Sequence, residues 1–250
     1  MNNHISGKMA HASDLGQVRE CNEDQAISLT NRNGENLLLV CDGMGGSKHG
    51  ETASQIATDI FIQEFNKNPF IPTPYLKRHW IKKIAKKANK EIFFKGESNP
   101  HYKGMGTTLT IVLVNKSFLT VGQIGDSRAY VYDEQGEYGQ ITHDQSYVAL
   151  LMEKGAISEE EMAVHPKRNR LMNALGVNKK LKIDLSKFKY GGQKIILCSD
   201  GLYTNVTQKQ IADLIYQHSY SPEEKCKKLI DLANENGGND NISVVYWEAE

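Results

Sequence analysis

Long hydrophobic runs are missing from this sequence. The longest, such as LTIVLV at Leu109 to Val114, fall far short of the roughly 18 apolar residues of a membrane span. The N-terminal MNNHISGKMAHAS has no apolar h-region, which predicts no secretion signal. Charge of one sign is missing too. Thirty Lys and Arg balance thirty Asp and Glu, so no global field draws the chain to nucleic acid or inserts it at an anionic membrane. No CxxC and no zinc-type spacing occurs. The four cysteines, Cys21, Cys41, Cys198 and Cys226, lie far apart and read as small buried hydrophobes in a reducing compartment, with the cytoplasm as the expected location. Internal repeats and low-complexity tracts are also lacking, which excludes a repeat array.

What is present is the composition of a globular protein, 39% apolar and 24% charged over 250 residues. That length suits one large domain or two small ones and buries a sizeable core. β-rich runs at Gln25 to Thr30 and Asn36 to Cys41 flank the turn signal NRNGE. Apolar residues at helical spacing predict helices over Thr52 to Phe65 and Tyr75 to Phe94. Lys82, Lys83, Lys86, Lys87 and Lys90 form the solvated face of the second helix. Next come GTTLTIVLV, FLTVGQIG and SRAYVYD, whose short links predict an antiparallel meander. Ser146 to Gly176 is charged, helical in part and irregular. A strand pair at Leu181 to Phe188 and Lys194 to Cys198, helices over Gln208 to Tyr216 and Pro222 to Asn236, and a last strand at Asn241 to Trp247 complete the chain. This order predicts an α+β protein of packed antiparallel sheets covered by helical layers, in a single domain over residues 1–250.

Within it, one local event recurs. LLLVC ends at Asp42-Gly43, TVGQIG runs into Asp126-Ser127, KIILCS ends at Asp200-Gly201, and GGN leads into Asp240-Asn241 before the final strand. A single Asp-Gly after a strand is usually a turn. Four aspartates at strand ends can instead gather at one edge of stacked sheets, where they would repel unless cations neutralise them. Carboxylates and backbone carbonyls are hard oxygen donors, which select magnesium or manganese. Two such ions about 3.5–4 Å apart hold a bridging water, lower its pKa and clamp a phosphoryl group. Phosphate also calls for a bidentate cation, and Arg19 in RECNED is the candidate. Its plainer reading is a surface salt bridge to Glu20 or Glu23.

RECNED, VCDGMGG followed by GETAS, GMGTTL, GQIGDSRAY, CSDGL and GGNDNISVV occur in the order found in the metal-dependent protein phosphatases, the protein phosphatase 2C family. The chain resembles its compact bacterial serine/threonine phosphatases from about Gly7 to Trp247. The resemblance implies a four-layer α/β/β/α sandwich of two antiparallel sheets flanked by helices. It also implies hydrolysis of phosphoserine and phosphothreonine in proteins by a metal-activated water. Asp42 would bridge two manganese or magnesium ions, with the Gly43 carbonyl on one of them and Asp200 and Asp240 completing the set. Asp126, with Asp200, would hold a third, weaker ion, Glu23 would touch the pair through water, and Arg19 would bind phosphate. Ser146 to Gly176 corresponds to the flap of bacterial members. Its charges, Lys167, Arg168 and Arg170 among them, read equally as substrate contacts or as solvated surface. Partners implied are phosphorylated proteins, including a cognate Ser/Thr kinase and its substrates, met by a monomer.

One departure concerns protons. Many eukaryotic relatives carry His directly after the Asp-Gly as a candidate general acid, and here Met44 stands there. A thioether cannot donate a proton. His49 and His143 read as surface or packing histidines. Among rival readings, GMGGSKHG lacks the sixth-position glycine of GxGxxG, and Gly7-Lys8 is followed by Met, which excludes the dinucleotide and P-loop motifs. A metallonuclease would want a basic stripe with aromatics. A catalytically silent family member that only binds phosphoproteins remains as the alternative from another class. Such a protein is expected to have lost metal carboxylates, and all four aspartates are present.

Overall fold

The computed structural model describes residues 4–45 and 49–250; residues 46–48 of the glycine-rich GMGGSKHG stretch lie outside the described residues. The strands are β1 (Gly7–Asp14), β2 (Asp24–Thr30), β3 (Asn36–Met44), β4 (Gly106–Thr107), β5 (Leu109–Val114), β6 (Phe118–Ile124), β7 (Arg128–Tyr132), β8 (Tyr138–Gln140), β9 (Asp184–Lys189), β10 (Lys194–Cys198) and β11 (Ile242–Ala249). The helices are α1 (His49–Phe65), α2 (Pro74–Ser98), α3 (Tyr147–Glu153), α4 (Glu159–Val164), α5 (Asp200–Tyr203), α6 (Gln208–Ile215) and α7 (Pro222–Glu235).

Why Leu37 to Cys41 of β3 run apolar without interruption follows from where the strand's two faces go. Leu37, Leu39 and Cys41 meet Ala57, Phe61, Ile81 and Ala85 of α1 and α2, while Leu38 and Val40 meet Ile195, Leu197, Val245 and Trp247 of a second sheet. A strand covered on both sides has no solvent face to make polar. β10 and β11 divide in the same way. Ile195, Leu197, Val245 and Trp247 point to the inter-sheet core; Ile196, Cys198, Val244 and Tyr246 meet Ile211, Cys226 and Leu229 of α6 and α7. Three apolar layers therefore separate four structural ones, the expected α/β/β/α sandwich.

One sheet runs β2-β3-β5-β6-β9, with β4 on β3, and the other runs β1-β11-β10-β7-β8. All pairings are antiparallel. This corrects two expectations. The meander stops after β5-β6, because Gly125, with φ +92°, turns the chain across the sandwich and β7 joins the other sheet. The strand pair at 181–188 and 194–198 is no pair either. β9 starts only at Asp184 and lies on β6, whereas β10 lies between β7 and β11. β1 and β8 were not expected at all. β1 reads GKMAHASD, with one buried residue, Ala10, so it lacks an apolar signal and is set by its eight-residue register on β11.

These registers decide which strand ends meet. In the first sheet Asp24 pairs Asp42, and Leu109 pairs Ile124 just before Gly125. In the second, Asp14 pairs Ile242, Cys198 pairs Val244, and Cys198 pairs Arg128. The Asp126 crossing joins the two ends, so all four recurrent aspartates come to one end of the sandwich.

Candidate metal centre

Asp42 is held by its backbone, leaving the carboxylate to other uses. Its N–H donates to Thr108 Oγ1 at 2.8 Å, and its carbonyl accepts from the Thr107 hydroxyl at 2.9 Å and from Thr108 N–H at 2.8 Å. The two threonines of GMGTTL thus act as a clamp, and Thr108 also shares a 2.8 Å hydroxyl–hydroxyl bond with Ser127 beside Asp126. Gly43 has no room for a side chain. A Cβ there would lie 2.3 Å from the Gly50 carbonyl oxygen and 2.5 Å from that of Glu23, far inside van der Waals contact.

Asp200 opens α5, directly after β10. Asp240 lies before β11 in a loop organised by its neighbour Asn241. That side chain donates to the carbonyls of Leu15 and Cys21 and accepts from Glu23 N–H. Asn241 therefore draws the 15–23 segment, and Arg19 with it, against Asp240. The Arg19 guanidinium donates to Asp240 Oδ2 at 2.6 Å, so its salt-bridge partner is Asp240 rather than Glu20 or Glu23. The Glu23 carboxylate accepts from Gly50 N–H at the start of α1 at 3.1 Å, and its carbonyl accepts from Gly43 N–H and the Ser54 hydroxyl.

Asp24 stands outside the expected set of site residues. It is 3% exposed, stands opposite Asp42 in the β2-β3 register, and accepts at 2.6 Å from the Ser199 hydroxyl, which in turn accepts from Ser243 N–H. Its signal was its position: a second acid directly after Glu23, opening a strand. Arg128 of GDSRAY was also missed. It forks onto Asp144, donates to the Tyr130 hydroxyl and lies 3.7 Å over the Tyr203 ring, while the Tyr203 hydroxyl donates to the Asp126 carbonyl.

The acids feel one another. Burial, then Asp24, Asp200, Asp126 and Asp240, hold the Asp42 carboxyl well above the ordinary range. Burial pushes Asp24 up to about 7, with Asp200 and Asp240 adding to it against the Ser199 hydroxyl. Asp126 is pushed to about 8 by burial and then by Asp200 and Asp144, against Arg128. Asp200 is pushed to about 6 by burial and by Asp240, against Arg19. Among the described residues no three acids, histidines or cysteines are already drawn around one point closely enough to cage an ion. The donor chemistry nonetheless fits hard divalent cations: carboxylates crowded at one end, reluctant to ionise together, with no thiolate or imidazole in the group. Met44 stays beside Gly43 with nothing to donate. His49 packs edge-on to His101, and His143 is exposed.

This arrangement has counterparts. Residues 16–235 match the family model described as protein phosphatase 2C. The chain is 33% identical over 237 residues to the serine/threonine phosphatase stp of Listeria welshimeri, covering 94% of this chain and 93% of that one. The crystal structure of serine/threonine phosphatase Stp1 from Staphylococcus aureus superposes with a TM-score of 0.93 at 32% identity, over 100% of this chain and 98% of that chain. A crystal structure of the catalytic domain of serine threonine protein phosphatase PstP in complex with 2 manganese ions superposes with a TM-score of 0.83 at 31% identity, over 97% and 98% of the two chains. The chain belongs to the protein phosphatase 2C family.

Proposed function

We propose that this chain is a metal-dependent serine/threonine protein phosphatase, a phosphoric monoester hydrolase of one catalytic domain, and that Asp42, Gly43, Asp200 and Asp240 hold a pair of divalent ions. The observation that carries the reading is the gathering of Asp42, Asp126, Asp200 and Asp240 at one end of the sandwich, where burial first, and then Asp24, Asp200, Asp126 and Asp240, raise the Asp42 carboxyl. Bound there, manganese or magnesium supplies Lewis acidity and lowers the pKa of water. Asp126, with Asp200, would offer a third, looser position, and Glu23 would touch the pair through water.

The protein's own groups do the rest. Thr107 and Thr108 fix the Asp42 backbone, and Ser199 fixes Asp24 behind it. Arg19, half exposed beside Asp240, is placed to grip phosphate oxygens with its planar fork and orient the ester. With Met44 unable to give a proton, the leaving seryl or threonyl oxygen takes its proton from another group or from solvent. The substrates are phosphoproteins, a Ser/Thr kinase whose phosphorylation is reversed among them, met in the cytoplasm by a monomer acting in signalling. The silent phosphoprotein-binding alternative has no observation in its favour, since no aspartate of the set is replaced.

Phosphate release from an aryl phosphate should vanish with a chelator and return with manganese, and Asp200→Asn should lower kcat by about 10²-fold or more. Chelator-indifferent turnover, or a near-normal rate for Asp200→Asn, ends this reading.

A further inference from the structure

The 146–176 segment leaves and rejoins the sandwich beside the aspartates, and one amide side chain joins both of its legs to the Asp126 turn. Gln145 lies at the point of departure. Its N–H donates to the Gly125 carbonyl at 2.9 Å, and its Oε1 accepts from Gly125 N–H at 3.0 Å, so both polar atoms of the Gly125 backbone bond Gln145, the carbonyl accepting from Gln123 Nε2 as well at 3.0 Å. The same Oε1 accepts from Asn173 Nδ2 on the returning leg at 2.7 Å, while Nε2 donates to Asp184 Oδ2 at the start of β9 at 2.7 Å. Asn173 Nδ2 also reaches the Lys182 carbonyl, and Met172 N–H donates to the Gln145 carbonyl. The legs are further stitched by the Ser146–Leu171 bridge.

Gly125 cannot easily shift without that residue. It holds φ +92°, and a Cβ there would lie 2.6 Å from Thr108 Cγ2, so the turn is packed against the same threonine that clamps Asp42. Beyond it, among the described residues, Asp126 is held from outside the segment by its carbonyl, through Tyr203. The returning leg likewise ends on the site, because Leu175 and Thr107 exchange both backbone bonds and Thr107 holds the Asp42 carbonyl.

We infer that Gln145 is a positioning residue that ties the base of the 146–176 segment to the Asp126 turn, so that displacement of that segment and the placement of Asp126 against Asp200 form one coupled motion. It makes no contact with substrate. It acts through the Gly125 backbone, and its effect falls on the looser ion position that Asp126 offers; Asp42 is spared because the bonds that hold it come from Thr107 and Thr108, neither of which Gln145 bonds. This rests on the ion reading given above for Asp126 and Asp200.

The test is calorimetric titration of the full chain with manganese, alongside amide hydrogen exchange. Gln145→Ala should raise the manganese concentration that half-fills the weaker phase by about tenfold, the equivalent of one or two lost hydrogen bonds, with the tighter phase unmoved. Exchange should rise together in residues 124–128 and 146–176. Asn173→Ala, which removes one bond to the same oxygen, should give a smaller shift in the same direction and keeps the test available should Gln145→Ala fail to fold. Gln145→Glu alone sets two carboxylates together at Asp184; pairing it with Asp184→Asn restores a donor–acceptor pair with the amide on the other side, and should recover the weaker phase. Faster exchange confined to 146–176 would overturn the coupling, as would equal shifts of both phases or a double variant no better than Gln145→Glu. Should the unaltered protein take up no manganese, the ion reading falls, and the exchange pattern at 124–128 still decides the coupling.

Discussion

Asp24 sits behind the proposed ion ligands with a carboxyl raised to about 7 by burial and by Asp200 and Asp240. Its negative charge is therefore unfavourable for the metal-free fold and favourable for holding cations, and one substitution separates the two. Asp24→Asn keeps an oxygen for the Ser199 hydroxyl and removes the charge. The expected outcome is a metal-free protein more stable by about 1–3 kcal/mol in chemical denaturation, together with a higher manganese requirement in the phosphatase assay. A variant less stable without metal and unchanged in manganese demand would leave Asp24 a plain core residue. Arg19 is the opposite case, a half-exposed cation on Asp240. Arg19→Ala should raise KM for an aryl phosphate by about tenfold with a smaller change in kcat if it grips phosphate in the ground state. A fall in kcat at constant KM would move its role to the transition state.

Each element brings the site into place through features remote from it. α2 has its apolar side on the first sheet through Ile81, Ile84, Ala85 and Ala88 and keeps Lys82, Lys83, Lys86, Lys87 and Lys90 exposed, the solvated face expected of them. Lys77, one turn into the same helix, is fully buried on Glu35 of the β2-β3 connection, where Glu35 also accepts from Ile71 N–H. Breaking one half of a buried ion pair leaves the other uncompensated. Lys77→Met should therefore destabilise the protein by about 3–5 kcal/mol, read from the denaturation midpoint, whereas Lys86→Met on the exposed face should change it by less than about 0.5 kcal/mol. Equal effects would show that Glu35 finds another partner or solvent.

Taken whole, a molecule of zero formal charge carries a concentrated acidic end. Between the ordinary carboxylate pKa of 3.8 and folded values of about 6 at Asp200, 7 at Asp24 and 8 at Asp126, the folded protein binds more protons than the unfolded chain. Linkage then fixes the sign: this contribution to stability is fully present below pH 3.8 and is lost as pH rises through about 6 to 8. In chelator, the melting temperature should fall from pH 5 to pH 8, and manganese should raise it more at pH 8 than at pH 5, because ions then replace protons. A melting temperature that climbs over this range in chelator, with a manganese effect independent of pH, would mean that the acids do not share a field.

Local spacing and motif order already carry the chemistry on offer. Helical and strand periods in Thr52 to Phe65, Asn36 to Cys41 and Lys194 to Cys198 come from local apolar spacing, and the aspartates at strand ends together with the motif order from RECNED to GGNDN carried the family. Local patterns do not encode partners. Long-range packing put β1, nearly devoid of apolar signal, on β11, and parted β7 from β6 and β9 from β10 into opposite sheets. The same pairings set Asp24 against Asp42, closed Arg19 on Asp240 across 221 residues, and let Gln145 hold Gly125. The physical reason is that register and sheet choice are settled by which faces can be buried together, and that is a property of elements distant in the chain.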